Sequence, residues 1–223
     1  MSHDWIDLDT PHGRVRAWQA RPDAPPRAAV VVLQEIFGVN AHIRDVTARF
    51  AAAGYLAIAP ALYDPIEPGV ELDYDAAGVE RGRELRERLG FDRALDIVDA
   101  TARHAGRDGL RVATVGFCWG GSAAFLANTR LALPAVSYYG ARSMEFIEEA
   151  ARAPLLFHFG ALDPTIPEPD IERHRACQPG ATLHVYPDVG HAFNRESDAT
   201  PAAREAASLA WGRTLAFLAE HLQ

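Results

Sequence analysis

Cysteine is scarce in this chain of 223 residues: there are two, Cys118 and Cys177. Two thiols make no disulfide framework, and free thiols fit a reducing, cytoplasmic setting. No apolar run approaches the length needed to cross a bilayer. The opening Met1-Ser2-His3-Asp4-Trp5-Ile6-Asp7 lacks the cationic and apolar regions of a signal peptide. Basic runs are missing too, and the formal net charge is −8, which argues against a nucleic-acid or anionic-membrane partner. A few arginines in a pocket could still set a local field for an anionic small molecule. Internal repeats, low-complexity tracts and linkers are absent. Hydrophobic residues make up 48% and charged residues 23%, an ordinary globular composition. The expectation is one domain over residues 1–223, burying roughly 70% of its unfolded surface.

What the chain does contain is a regular alternation. Residues 4–20 read as two strands around the turn Pro11-His12-Gly13, an antiparallel lead-in. Short β-branched or apolar runs follow at 28–33, 55–59, 111–115, 135–139, 154–159 and 182–186, and each is too apolar for a solvated face. Between them lie helical stretches at 42–53, 80–89, 91–104, 123–128, 143–151, 169–177 and 201–222. Residues 62–78 are loop-like, broken by Pro65 and Pro68. Strands alternating with helices predict a mainly parallel sheet with helices on both faces, an α/β class. In such sheets ligands bind beyond the carboxyl ends of the strands, and the loops carrying Glu35, Cys118, Asp163 and His191 all leave from those ends.

The run Gly116-Phe117-Cys118-Trp119-Gly120-Gly121 joins a strand to a helix in the Gly-x-nucleophile-x-Gly pattern, with cysteine where serine is commoner. Side chains two residues from such a nucleophile would strike neighbouring backbone, and the following helix N-terminus favours a thiolate. A cysteine nucleophile needs a base, and the base needs an acceptor to fix its tautomer. Among nine histidines, His158 and His184 fall inside strands and read as structural. His191 sits beside Gly190 in the loop between the last strand and last helix. Asp163 is preferred as its acceptor over Asp170, inside a helix, and Asp188, too close in sequence.

Four segments taken together, Gln34-Glu35-Ile36-Phe37-Gly38-Val39-Asn40, Gly116-Phe117-Cys118-Trp119-Gly120-Gly121, Tyr138-Tyr139-Gly140 and Gly190-His191-Ala192-Phe193, resemble the dienelactone hydrolase family. The likeness runs from about residue 28 to the last helix. It implies an α/β-hydrolase fold and opening of a lactone, or cleavage of a small carboxylate-bearing ester, through an acyl-cysteine. It also implies Cys118 as nucleophile, His191 as base, Asp163 as its partner and Glu35 as an extra carboxylate gating the thiol. The backbone N–H groups of Ile36 and Trp119 would form the oxyanion hole. Arg83, in preference to Arg81, and Arg195 would hold a substrate carboxylate, and Tyr138 would line the pocket. Neither a cofactor nor a metal is implied, and the expected assembly is a monomer or weak homodimer. Trp119 stands where the family commonly has leucine, and residues 82–91 lack its pocket aromatics, so a differently shaped pocket is expected.

Three other readings compete. A broader carboxylesterase or thioesterase of the same fold needs the same residues. A non-catalytic reactive-thiol binding or redox-sensing module needs Cys118 but no acid–base pair. A metal site built from Glu35, Cys118 and His191 would have few converging ligands.

Overall fold

The computed structural model describes residues 1–195 and 200–223. They pack as two compact units, Met1–Thr114 with Leu222–Gln223, and Val115–His221.

The first unit begins with β1 (Ser2–Thr10) and β2 (Gly13–Arg21). They pair antiparallel around Pro11-His12, from Ser2 opposite Arg21 to Thr10 opposite Gly13. The buried β3 (Ala29–Leu33) and β4 (Leu56–Pro60) pair parallel, and β2 lies antiparallel against the other edge of β4. The order here is β1-β2-β4-β3. A parallel pair needs a crossover, which α1 (Ala41–Ala52) supplies. Asn40 caps α1, its side chain accepting from the Ile43 N–H. Helix α2 (Ala76–Ala105) is broken at Gly90, which has φ 71 and ψ 168. The sequence pattern predicts two helices meeting at that glycine. The first of them starts a turn earlier than periodicity indicates, because Asp75 accepts from the Gly78 N–H and nucleates it.

Strand β5 (Val112–Phe117) carries the boundary between the units and leads into α3 (Trp119–Leu131). In the second unit β6 (Ala135–Tyr138), β7 (Leu155–Gly160) and β8 (Thr182–Tyr186) follow in order and pair parallel. Their crossovers are a 3₁₀ turn at Ala141–Phe146 and α4 (Glu168–Cys177), and α5 (Pro201–His221) closes the unit. The expected α-helix over 143–151 is therefore a tighter and earlier turn. Ser143 ties the segment down near its start: its hydroxyl lies 2.6 Å from the Gly140 carbonyl and 2.7 Å from His174 Nε2 on α4.

Candidate active site

The site grows out of the end of β5. Cys118 N-caps α3 with φ 54 and ψ −118, a left-handed conformation that costs a side-chain-bearing residue about 1–3 kcal/mol. Its N–H donates to the Tyr138 carbonyl at 3.0 Å, and its own carbonyl accepts from Gly121 N, so the strain is locked from both sides. Gly116 makes the bend possible, since a Cβ there would sit 1.9 Å from the Gly120 carbonyl oxygen. Backbone cannot yield to that. The bend leaves the sulfur at the start of α3, where the helix dipole favours negative charge.

Two loops bring the partners. Gly160 ends β7 and passes so close to the next loop that a Cβ would lie 2.4 Å from the Val189 carbonyl oxygen. That approach lets Leu162 N donate to Val189 O at 2.9 Å, stitching the Asp163 loop to the His191 loop. Asp163 is buried, and its Oδ2 accepts from His191 Nδ1 at 2.6 Å. On the other side of the ring, His191 Nε2 lies 3.2 Å from Cys118 Sγ. The Tyr139 ring meets the imidazole edge-on at 5.1 Å. Cys118, Tyr139 and Ala192 all hold positive φ, and this clustering of strained residues is usual at functional sites.

The electrostatics follow from that chain of contacts. Burial raises the Asp163 carboxyl, but hydrogen bonds from His191 and Thr165 outweigh it and hold Asp163 below the ordinary carboxylate value. For His191, burial opposes the charged ring. Its bonds to Asp163 and Cys118 and the charges on both override that and push it up to about 10. An imidazole so placed holds its second proton through neutral pH and aims it at sulfur.

Residues 15–222 match the profile of the dienelactone hydrolase family. The chain belongs to that family. A carboxymethylenebutenolidase from Pseudomonas putida is 35% identical over 212 residues, covering 89% of this chain and 88% of the relative. A solved structure from Klebsiella pneumoniae, provisionally named dienelactone hydrolase, is 32% identical with a TM-score of 0.82 and covers 98% of both chains. At 20% identity, the dienelactone hydrolase structure from Anabaena variabilis superposes with a TM-score of 0.72 over 100% of this chain and 99% of that one, and shows the shared α/β-hydrolase fold. The chain is accordingly a dienelactone hydrolase-like enzyme acting on carboxylic esters.

The other positions singled out by likeness to the dienelactone hydrolase family fall in varied surroundings. Trp119 opens α3 and is buried, its N–H belonging to the first helical turn, where N–H groups lack intrahelical partners. Arg195 follows the turn in which its N–H donates to Ala192 O at 2.9 Å. Tyr138 turns its hydroxyl toward α5. It is buried with its hydroxyl 2.7 Å from Thr214 Oγ1 on α5, so the side chain beside His191 is Tyr139, one residue on.

Within the first unit Glu35 and Ile36 are both buried at the end of β3. The carbonyl of Ile36 packs against Gly82 of α2, which leaves Arg81 and Arg83 on opposite flanks of the helix. Arg81 is held by Glu67 and Glu84. Arg83 is exposed at a shallow groove that it shares with Glu80, Glu84 and Glu87, acidic company that opposes a carboxylate ligand. Arg86, which sequence reasoning passed over, is more enclosed, with 16% of its side chain exposed. Its place on the Gly82 side of the helical wheel was the available signal.

Proposed function

We infer that this enzyme hydrolyses a small ester or lactone through an acyl-cysteine, with Cys118, His191 and Asp163 as the triad. One observation carries this reading: the unbroken chain from sulfur to imidazole to carboxylate, at 3.2 Å and 2.6 Å. The sulfur attacks the carbonyl carbon, forming a C–S bond while the carbonyl electron pair moves to oxygen. Backbone N–H groups stabilise that oxyanion; the family likeness supplies those of Trp119 and Ile36. When the carbonyl re-forms, the C–O bond to the alkoxide breaks and the alkoxide takes the Nε2 proton of His191. Water then gives a proton to Nε2 and adds to the thioester carbon, and the thiolate leaves. A lactone keeps its leaving group tethered, so the product is one ring-opened acid.

Roles for Glu35 as a gating carboxylate and for Arg83 and Tyr138 in substrate binding rest on the family likeness alone. Arg195 is the stronger arginine for an anionic substrate, because it closes the loop that carries His191, four residues on. Cys118→Ala should abolish turnover of a neutral aryl ester; full residual activity would rule out the acyl-cysteine. Arg195→Ala should raise KM for a carboxylate-bearing butenolide and leave the neutral ester within about twofold. Equal losses on both would favour a general esterase without a carboxylate clamp.

A further inference from the structure

We propose that Thr165 is a positioning residue of the acid–base pair, its hydroxyl fixing the Asp163 carboxylate and sharing the Nδ1 proton of His191. The inference rests on the triad reading above and assigns a fourth side chain to it. Three contacts converge on this threonine. Its N–H donates to Asp163 Oδ1 at 2.8 Å, and its hydroxyl donates to the same oxygen at 2.6 Å. That hydroxyl oxygen also lies 3.2 Å from His191 Nδ1.

The division between the two carboxylate oxygens is what matters. Oδ1 takes both donors from Thr165, and Oδ2 is left for the imidazole at 2.6 Å. A carboxylate with one free oxygen could rotate about its Cβ–Cγ bond and present either oxygen to the ring. With Oδ1 held by two donors, rotation breaks two hydrogen bonds, both charge-assisted because the acceptor is a carboxylate. Because the threonine O–H points at Asp163, its oxygen has lone pairs available toward Nδ1. The Nδ1–H therefore meets a main acceptor at 2.6 Å and a second at 3.2 Å, and both favour the imidazolium. Local sequence puts the residue there. Asp163-Pro164-Thr165 forms a turn in which the aspartate side chain accepts from the residue two positions on. Ile166 N donates back to Asp163 O at 3.1 Å, closing the loop on itself.

Thr165 is exposed, so replacing it removes little packing. Thr165→Val keeps the β-branched shape and the backbone N–H but loses the hydroxyl; Thr165→Ser keeps the hydroxyl. Two readouts apply to wild type and both variants, with melting temperature as a fold check. The first is kcat/KM on a neutral aryl ester across pH. The second is alkylation of Cys118 by iodoacetamide across pH, followed at the Cys118 peptide by mass so that Cys177 does not interfere. For Thr165→Val, kcat/KM should fall roughly tenfold, and the high-pH inflection in alkylation should move down by about one pH unit. Thr165→Ser should stay within about twofold of wild type with an unmoved inflection. If the valine variant matches wild type in both readouts, or serine loses as much as valine, the assignment is wrong. The alkylation arm does not require hydrolysis. A shifted inflection in a protein that hydrolyses no ester would uphold Thr165 and overturn the acyl-cysteine mechanism instead.

Discussion

Cys118 and Gly160 show how single backbone positions make the chemistry available. The cysteine is held at φ 54 by a helix behind it and a strand beside it. The glycine lets two loops from different strands touch. Adding one methyl group at Gly160 forces Val189 O and Gly190 O away from contacts of 2.4 and 2.6 Å, which must part the loops carrying Asp163 and His191. Gly160→Ala should therefore lower kcat/KM by at least about tenfold while the protein still unfolds cooperatively, the cost in stability being roughly 1–3 kcal/mol. An alanine variant with wild-type kinetics would mean that the loops do not set the Asp163–His191 distance. At this scale the sequence was informative about residue types and less so about direction. The strand-to-helix turn pattern, the loop positions and the elimination of rivals singled out Cys118, Asp163 and His191. The alternation of a four-residue strand does not say which of two adjacent, equally buried tyrosines meets the imidazole of His191, and Tyr139 is the one that does. Thr165 was invisible because a threonine after Asp-Pro is an ordinary turn residue until its hydroxyl is seen between two charged groups.

Elements β6, β7, β8 and α5 are tied together by one buried polar chain. Tyr186 hydroxyl lies 3.0 Å from His158 Nδ1, and His158 Nε2 lies 3.1 Å from Thr214 Oγ1, itself 2.7 Å from Tyr138. Reading His158 and His184 as structural from their positions inside strands anticipates such a role; the partners came from strands and a helix far apart in sequence, which no local pattern encodes. Phe193, two residues after His191, packs on the rings of Tyr138, Tyr139 and Tyr186, so this network underlies the His191 loop. Burial pushes His158 well below the ordinary imidazole value, and the positive charge of His184 and Arg213 adds to it. A histidine whose folded pKa is depressed takes up its proton more readily in the unfolded chain. Its contribution is thus complete above about pH 6.5 and is lost as pH falls below that. His174 on α4, also lowered by burial, acts in the same sense. Urea unfolding should show stability dropping between about pH 6.5 and 5.5, a window above the carboxylates and below the range in which the raised His191 acts in the opposite sense. His158→Leu should be less stable at pH 7.5 by about 1–3 kcal/mol and should show a shallower drop. An unchanged slope would remove His158 from the acid response.

At the scale of the whole chain, one compositional fact bears directly on the mechanism: there is no lysine, and all 22 basic side chains are arginine. Arginine keeps its charge through the alkaline range and is a poor acyl acceptor. An activated ester offered to most proteins acylates surface amines, which hides an acyl-enzyme beneath a stable background. Here the amine background is confined to the N-terminal amino group of Met1, which is paired with Asp23. Acid quenching during turnover of an aryl acetate, followed by whole-protein mass measurement, should therefore reveal a single added acetyl group. Its location should be Cys118. Neutral hydroxylamine should remove it, because thioesters yield to that reagent while amides and ordinary oxygen esters persist. His191→Ala, lacking the base that the proposed mechanism assigns to the second step, should retain the adduct longer once formed, although it forms more slowly. The competing sites are Cys177, which is also a free thiol, and Met1. Peptide mapping separates all three. If the hydroxylamine-labile acetyl maps to Cys177, or if turnover proceeds with no labile adduct at any quench time in either protein, the thioester intermediate is excluded and attack by water at the ester carbonyl, with His191 as base, takes its place.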